Sequence, residues 1–74
     1  MLELDYTTQG RRPTVAQIIA AWRKAGKPAQ FSVSYGETFA QFEYHGPRWY
    51  AHGNGCRGVE RDKVEQRLNA LTAE

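Results

Sequence analysis

Seven of the nine aromatic residues in this chain fall between Phe31 and Tyr50, in a stretch that alternates apolar with polar side chains. A period of two is the mark of a strand with one buried face. Phe31, Val33 and Tyr35 alternate with Ser32 and Ser34, and Gly36-Glu37 is a two-residue connection with glycine first, which suits a type II′ turn. From Thr38 onward, Ala40, Phe42 and Tyr44 fall on one side and Phe39, Gln41 and Glu43 on the other. His45-Gly46-Pro47 turns the chain again, and Trp49 and Ala51 then alternate with Arg48, Tyr50 and His52. The spacing predicts a three-stranded antiparallel meander over residues 30–52. One face is apolar. The other is mostly polar but carries Phe39, Tyr50 and the cation Arg48.

A strand pattern of this kind needs cover, and two helices are available. Thr14-x-x-Gln17 is a capping box, in which the Thr hydroxyl accepts from the third helical N–H and the Gln reaches back. Val15, Ile18, Ile19 and Trp22 then lie on one helical stripe. Arg23 and Lys24 sit where cations suit the carbonyl end of the dipole, Gly26 fits the position after the cap, and Pro28 stops the helix. A second helix is expected from near Glu60 to Ala73, with Asp62-x-x-Glu65 able to cap a later start and Val64, Leu68 and Leu71 as a narrow apolar stripe. Residues 1–6 alternate like a short strand, so residues 1–12 are either flexible or an edge strand. The predicted fold is α+β: a three-stranded antiparallel sheet, with a possible extra N-terminal strand, and two helices on one face.

At 74 residues the chain is a single small domain, with no room for a barrel or a doubly wound sheet. No stretch approaches the roughly 18 apolar residues of a membrane span, and the acidic start Met1-Leu2-Glu3-Leu4-Asp5 lacks a signal-peptide pattern, so a cytoplasmic location is expected. The lone Cys56 allows no internal disulfide. One Cys and two His, His45 and His52, do not make a closed zinc site, and no cofactor is expected. A core this small supplies only about 3–5 kcal/mol, so a homodimer is expected to add burial.

Charge is unevenly placed. Residues 1–10 carry two carboxylates and no cation, residues 11–57 seven cations against two carboxylates, and residues 58–74 three cations against four carboxylates. A basic centre suits a polyanion. The candidate nucleic-acid contacts are Arg11, Arg12, Arg23, Lys24, Lys27, Arg48 and Arg57 for phosphate, with Phe39 and Tyr50 for stacking on bases. The same two aromatics equally suit a dimer seam or a protein-docking face.

Gly53-x-Gly55-x-x-Gly58 matches a dinucleotide fingerprint, but only 16 residues follow it, too few for the returning parallel strand. Two local roles stay open: a phosphate held by free N–H groups with Arg57, or a glycine hinge that aims the last helix. Cys56 with His45 or His52 lacks an orienting third group, and the carboxylates form no dyad, so no catalytic residue is assigned. Arg61 and Glu65 stand at ion-pair spacing, and Lys63 and Arg67 form a like-charge pair that a bound anion would relieve.

The order helix, meander, helix resembles a double-stranded-RNA-binding domain over residues 14–72. Trp22-Arg23-Lys24-Ala25-Gly26 resembles the end of that family's first helix, Ala51-His52-Gly53-Asn54-Gly55 its third strand and following glycines, and Leu68-Asn69-Ala70-Leu71 its closing helix. The resemblance implies RNA binding from the start of the last helix. The family's Ser-Lys-Lys run there corresponds to Cys56-Arg57-Gly58, where only Arg57 keeps the charge. The sequence is thus expected to encode a non-enzymatic DNA- or structured-RNA-binding protein, in the style of a bacterial, plasmid or phage accessory regulator. The rival is a protein-interaction or inhibitor module that docks through the open sheet face.

Overall fold

The computed structural model describes residues 1–54 and 58–72. Thr14 opens the first helix, α1 (Val15–Lys24), by accepting a hydrogen bond from the Gln17 amide at 3.0 Å. The second half of the expected box does not form. The Gln17 side-chain amide instead donates to Gln9 Oε1 at 2.9 Å, which ties the helix start to a 3-10 turn, Thr7–Gln9. At the far end the Lys27 amide donates to the Trp22 carbonyl at 3.0 Å and the Gly26 amide to the Arg23 carbonyl at 3.1 Å. This double closure needs a left-handed residue after the cap, and Gly26 has φ 92°.

The meander forms as its alternation predicts: β2 (Gln30–Tyr35), β3 (Thr38–His45) and β4 (Arg48–Gly53) pair antiparallel in sequence. Gly36 has φ 60° while Glu37 stays in the negative range, as a type II′ turn requires. The Gly46–Pro47 bond is cis. Residues 2–5 resolve the N-terminal alternative as β1 (Leu2–Asp5), an edge strand parallel to β2 with Leu2 opposite Phe31 and Asp5 opposite Ser34. The sheet is therefore mixed and four-stranded, in the order β1-β2-β3-β4. α1 supplies the long crossover that parallel neighbours need.

Both helices cover one face. Ile18, Ile19 and Trp22 of α1 meet Phe31, Val33, Ala40, Phe42 and Trp49 of the sheet, with Val64 and Leu68 of α2 (Arg61–Thr72). Val59, fully buried just before α2, completes the cluster. Phe31 stacks on Phe42 at 5.0 Å, and Trp22 meets Trp49 edge to face at 5.7 Å. Buried indoles need partners for their N–H groups. Trp22 Nε1 donates to the Pro28 carbonyl and Trp49 Nε1 to Thr72 Oγ1, each at 3.0 Å. Among the described residues no helix is long and apolar enough to cross a membrane.

α2 also seals the outer edge of β4. The Ala51 amide donates to Glu65 Oε2 at 2.8 Å and the Trp49 amide to Asn69 Oδ1 at 2.8 Å. Asn69 Nδ2 donates back to the Trp49 carbonyl at 3.3 Å, and Arg61 Nη1 donates to the Gly53 carbonyl. Arg61, Glu65 and Asn69 recur every four residues, while Gly53, Ala51 and Trp49 recur every two in the opposite direction. The pitches match: four helical residues rise about 6 Å and two strand residues about 6.6 Å. The expected Arg61–Glu65 ion pair gives way to this arrangement. Glu65 is spent on the strand, and Arg61 Nε lies 3.3 Å from Asp62 Oδ1. The like-charge Lys63–Arg67 pair is relieved locally, because Lys63 Nζ reaches Glu60 Oε2 at 3.1 Å.

Two glycines of the fingerprint-like motif are explained by close packing. A Cβ on Gly53 would lie 2.3 Å from the Phe39 carbonyl oxygen, and Gly53 has φ 116°. A Cβ on Gly58 would lie 2.5 Å from Thr38 Oγ1. These contacts account for the two glycines that flank the loop; the two roles expected of the loop itself rest on residues between them. Gly55, Cys56 and Arg57 lie outside the described residues.

Candidate nucleic-acid interface

The cations expected to act together are divided between the two ends of α1. Arg11 and Arg12 lie just before it, exposed, and the Arg12 guanidinium is 3.8 Å from Glu60 Oε1. Glu60 also holds Lys63, so one carboxylate is shared by two of the cations at this end. Arg23, Lys24 and Lys27 crowd the opposite end, in the last turn of α1 and the closure after it. All three are exposed, and none has a carboxylate within 4.0 Å among the described residues. Lys27 is held by that closure at φ 55°, a conformation few non-glycine residues adopt. Arg48 is at the same end, in the β3–β4 hairpin opposite His45, but its strand position points it to the open sheet face.

Beside the three cations, α1 and the turn after it, the β3–β4 pair and α2 leave a cleft of about 340 Å³. α1 gives Trp22 and Arg23, the following turn gives Lys27 and Ala29, the β3–β4 pair gives Tyr44 and Trp49, and α2 gives Leu71 and Thr72. Ligand clefts start at about 300 Å³ and combine an apolar lining with a few polar groups. Here the charged lining residues among the described ones are both cations, Arg23 and Lys27. Trp22 and Trp49 are 5% and 3% exposed, so they make the floor. Tyr44 and Leu71 are half-buried and form walls. Tyr44 packs on Trp49 with ring centroids 5.6 Å apart, and its hydroxyl has no hydrogen-bond partner among the described residues.

The open sheet face is different in sign. Phe39 and Tyr50 are on it, each 44% exposed, as their register predicts. They do not form one platform: Ser34–Phe39 and Glu43–Tyr50 are separated by the Ser32–Gln41–His52 row. Four strand residues part them along β3, about 13 Å. Tyr50 rests beside the His45 ring, centroids 6.0 Å apart. Glu43 Oε2 draws two imidazoles, His45 Nε2 at 3.2 Å and His52 Nε2 at 3.9 Å, yet no group of three His, Cys, Asp or Glu among the described residues is arranged to hold a metal. Strand alternation places Glu3, Asp5 and Glu43 on this face, three carboxylates against the single guanidinium of Arg48.

Comparison with protein-family models, curated proteins and solved structures finds no match to this chain.

Proposed function

We propose that this protein binds nucleic acid, without catalysing a reaction, through phosphate contacts at the C-terminal end of α1. The observation that supports it is the trio Arg23, Lys24 and Lys27: exposed, without carboxylate neighbours among the described residues, and set at the rim of an aromatic cleft. Cations there also answer the helix dipole. That need alone explains neither Lys27, beyond the helix, nor a cleft with no acidic lining among the described residues. Arg11, Arg12 and Arg48 lie outside this centre, and Phe39 and Tyr50 are on a face whose carboxylates repel phosphate. Such a ligand suits a cytoplasmic accessory regulator, with DNA and structured RNA both open as targets.

Salt titration tests the proposal, because each neutralised phosphate releases counterions. Three contacts give a slope of about −3 on duplex DNA and about −2 on single strands in log K against log salt. Replacing Lys27 with Gln reduces the slope by about one contact's worth. Binding that ignores salt, or its absence at low salt for every probe, refutes the proposal.

A second reading has its own support in the open face. Two exposed aromatics among carboxylates suit a protein partner, a second copy of this chain included. Phe39→Ser with Tyr50→Ser would then reduce the mass measured by light scattering, or abolish capture of a protein partner, while leaving nucleic-acid binding intact.

A further inference from the structure

Building on the proposed phosphate contacts, we infer that the cleft between α1, the β3–β4 hairpin and α2 receives one unpaired nucleobase of the bound strand. Phosphate contacts alone need only surface cations. This site has more. Arg23 and Lys27 stand at the margin of a recess of about 340 Å³ whose floor is Trp22 and Trp49 and whose wall is Tyr44. A planar, largely apolar group with an anion attached matches that lining in shape and in charge. The exposed cations would take the phosphate, the half-buried Tyr44 ring offers a face for the base, and the Tyr44 hydroxyl, without a partner among the described residues, offers one polar contact at its edge.

The order of chemistry along the chain favours a nucleotide over a simple aromatic acid. Arg23 and Lys27 line the recess, whereas Lys24 lies outside the lining. A polymer can use all three, one phosphate at the base in the cleft and another beyond it. A base inside a duplex is stacked on both sides and cannot enter without being extruded. The site therefore selects single strands, loops or bulges, the places where structured RNA displays bases for recognition.

Both tryptophans of the chain line the cleft, so intrinsic fluorescence reports on its contents. The test titrates the intact protein with three probes of equal length: a single-stranded oligothymidylate, an abasic strand with the same phosphates, and a fully paired duplex. The expected result is saturable quenching by oligothymidylate and binding about tenfold tighter than to the abasic strand, in line with the usual gain from one base stacked on an aromatic ring. Abasic and duplex probes still bind with salt dependence, but without quenching. Equal affinity for thymidylate and abasic strands, with equal fluorescence, overturns the base pocket and leaves phosphate binding standing. Failure of all three probes at low salt overturns both. Ala29→Phe adds a second arm, since Ala29 is an exposed lining residue. Filling the recess there is expected to erase the preference for bases while the salt slope stays. A retained preference in that variant, with fold confirmed by circular dichroism, also overturns the inference.

Discussion

Asp5 accepts a hydrogen bond from the Thr7 amide at 2.9 Å, and Thr7 Oγ1 accepts one from the Gly36 amide at 3.0 Å. The Thr7 hydroxyl first, and its amide second, hold the Asp5 carboxyl below the ordinary aspartate value. A group whose pKa is lowered by folding contributes stability above its unfolded value, about 3.9, and loses it as pH falls through the folded value. The effect therefore belongs below about pH 4. Asp5→Asn is expected to flatten the fall of melting temperature in that acid range and to leave its slope between about pH 5 and 7 unchanged. Parallel acid profiles for the two proteins would show that the Thr7 contact carries no linkage. Steric contacts at single residues are as specific. Gly58→Ala forces a Cβ to 2.9 Å from Tyr35 Cδ2, a ring atom that can swing aside, and to 2.7 Å from Thr38 Cβ, which moves only with its strand. Gly53→Ala meets backbone, with Ala40 Cα at 3.0 Å and the Phe39 carbonyl closer still. Urea denaturation should show a loss of about 1–3 kcal/mol at Gly58 and a larger one at Gly53, where a left-handed φ adds its own cost. The reverse ranking would mean that the loop, not the strand, relaxes around Gly53.

At the scale of elements, the seal of β4 by α2 is a trade between two kinds of periodicity. An edge strand leaves N–H and C=O groups unpaired, and proteins cover or blunt such edges. Here Glu65 and Asn69 take the amides of Ala51 and Trp49, so α2 does the work of a fifth strand. Glu65→Ala leaves the half-buried Ala51 amide without its acceptor, a loss of about 1–3 kcal/mol. Hydrogen exchange checks the position: the Ala51 amide should exchange faster in Glu65→Ala and the Trp49 amide faster in Asn69→Ala, each with little change at the other. Uniform acceleration in both variants would instead indicate general loosening of α2. This seal marks the limit of what the sequence displays. The cap at Thr14, the Ile18–Ile19–Trp22 stripe and the closure at Gly26 depend on neighbours within about two turns, and all three are legible there. The alternation from Phe31 to Ala51 sorts the two sheet faces correctly for the same reason. Arg61 and Glu65 mislead because their spacing fits an ion pair as well as it fits two rungs of a strand 8 to 14 residues away, and only the docked helix decides. Gln17 likewise finds Gln9 rather than the helix start. The cleft is invisible along the chain because α1, the turn after it, β3, β4 and α2 each contribute only one or two residues to it.

Across the whole molecule, net charge says less than where the charge sits. Arg11 and Arg12 precede α1, while Arg23, Lys24 and Lys27 end it, and the ten residues of α1 hold the groups apart. Ten helical residues span about 15 Å. The Debye length is about 8 Å at physiological ionic strength and about 30 Å at 0.01 M salt. At physiological salt the two ends act independently. At low salt both contribute to the field felt by an approaching polyanion. This gives a test that separates patch from field. Arg11→Gln with Arg12→Gln and Lys24→Gln with Lys27→Gln each remove two positive charges, so their effect on net charge is identical. Arg12 is engaged by Glu60, whereas Lys24 and Lys27 face solvent. Near 0.15 M salt the Lys24, Lys27 variant should lose about two contacts' worth of the salt slope and at least tenfold in affinity, while the Arg11, Arg12 variant binds almost as the parent does. Near 0.01 M salt the two variants should converge, because both lower the long-range field equally. Anisotropy titrations with one labelled single strand at the two salt concentrations decide it. Equal losses at the higher salt would mean that phosphate is drawn by overall charge and that the end of α1 is no special site.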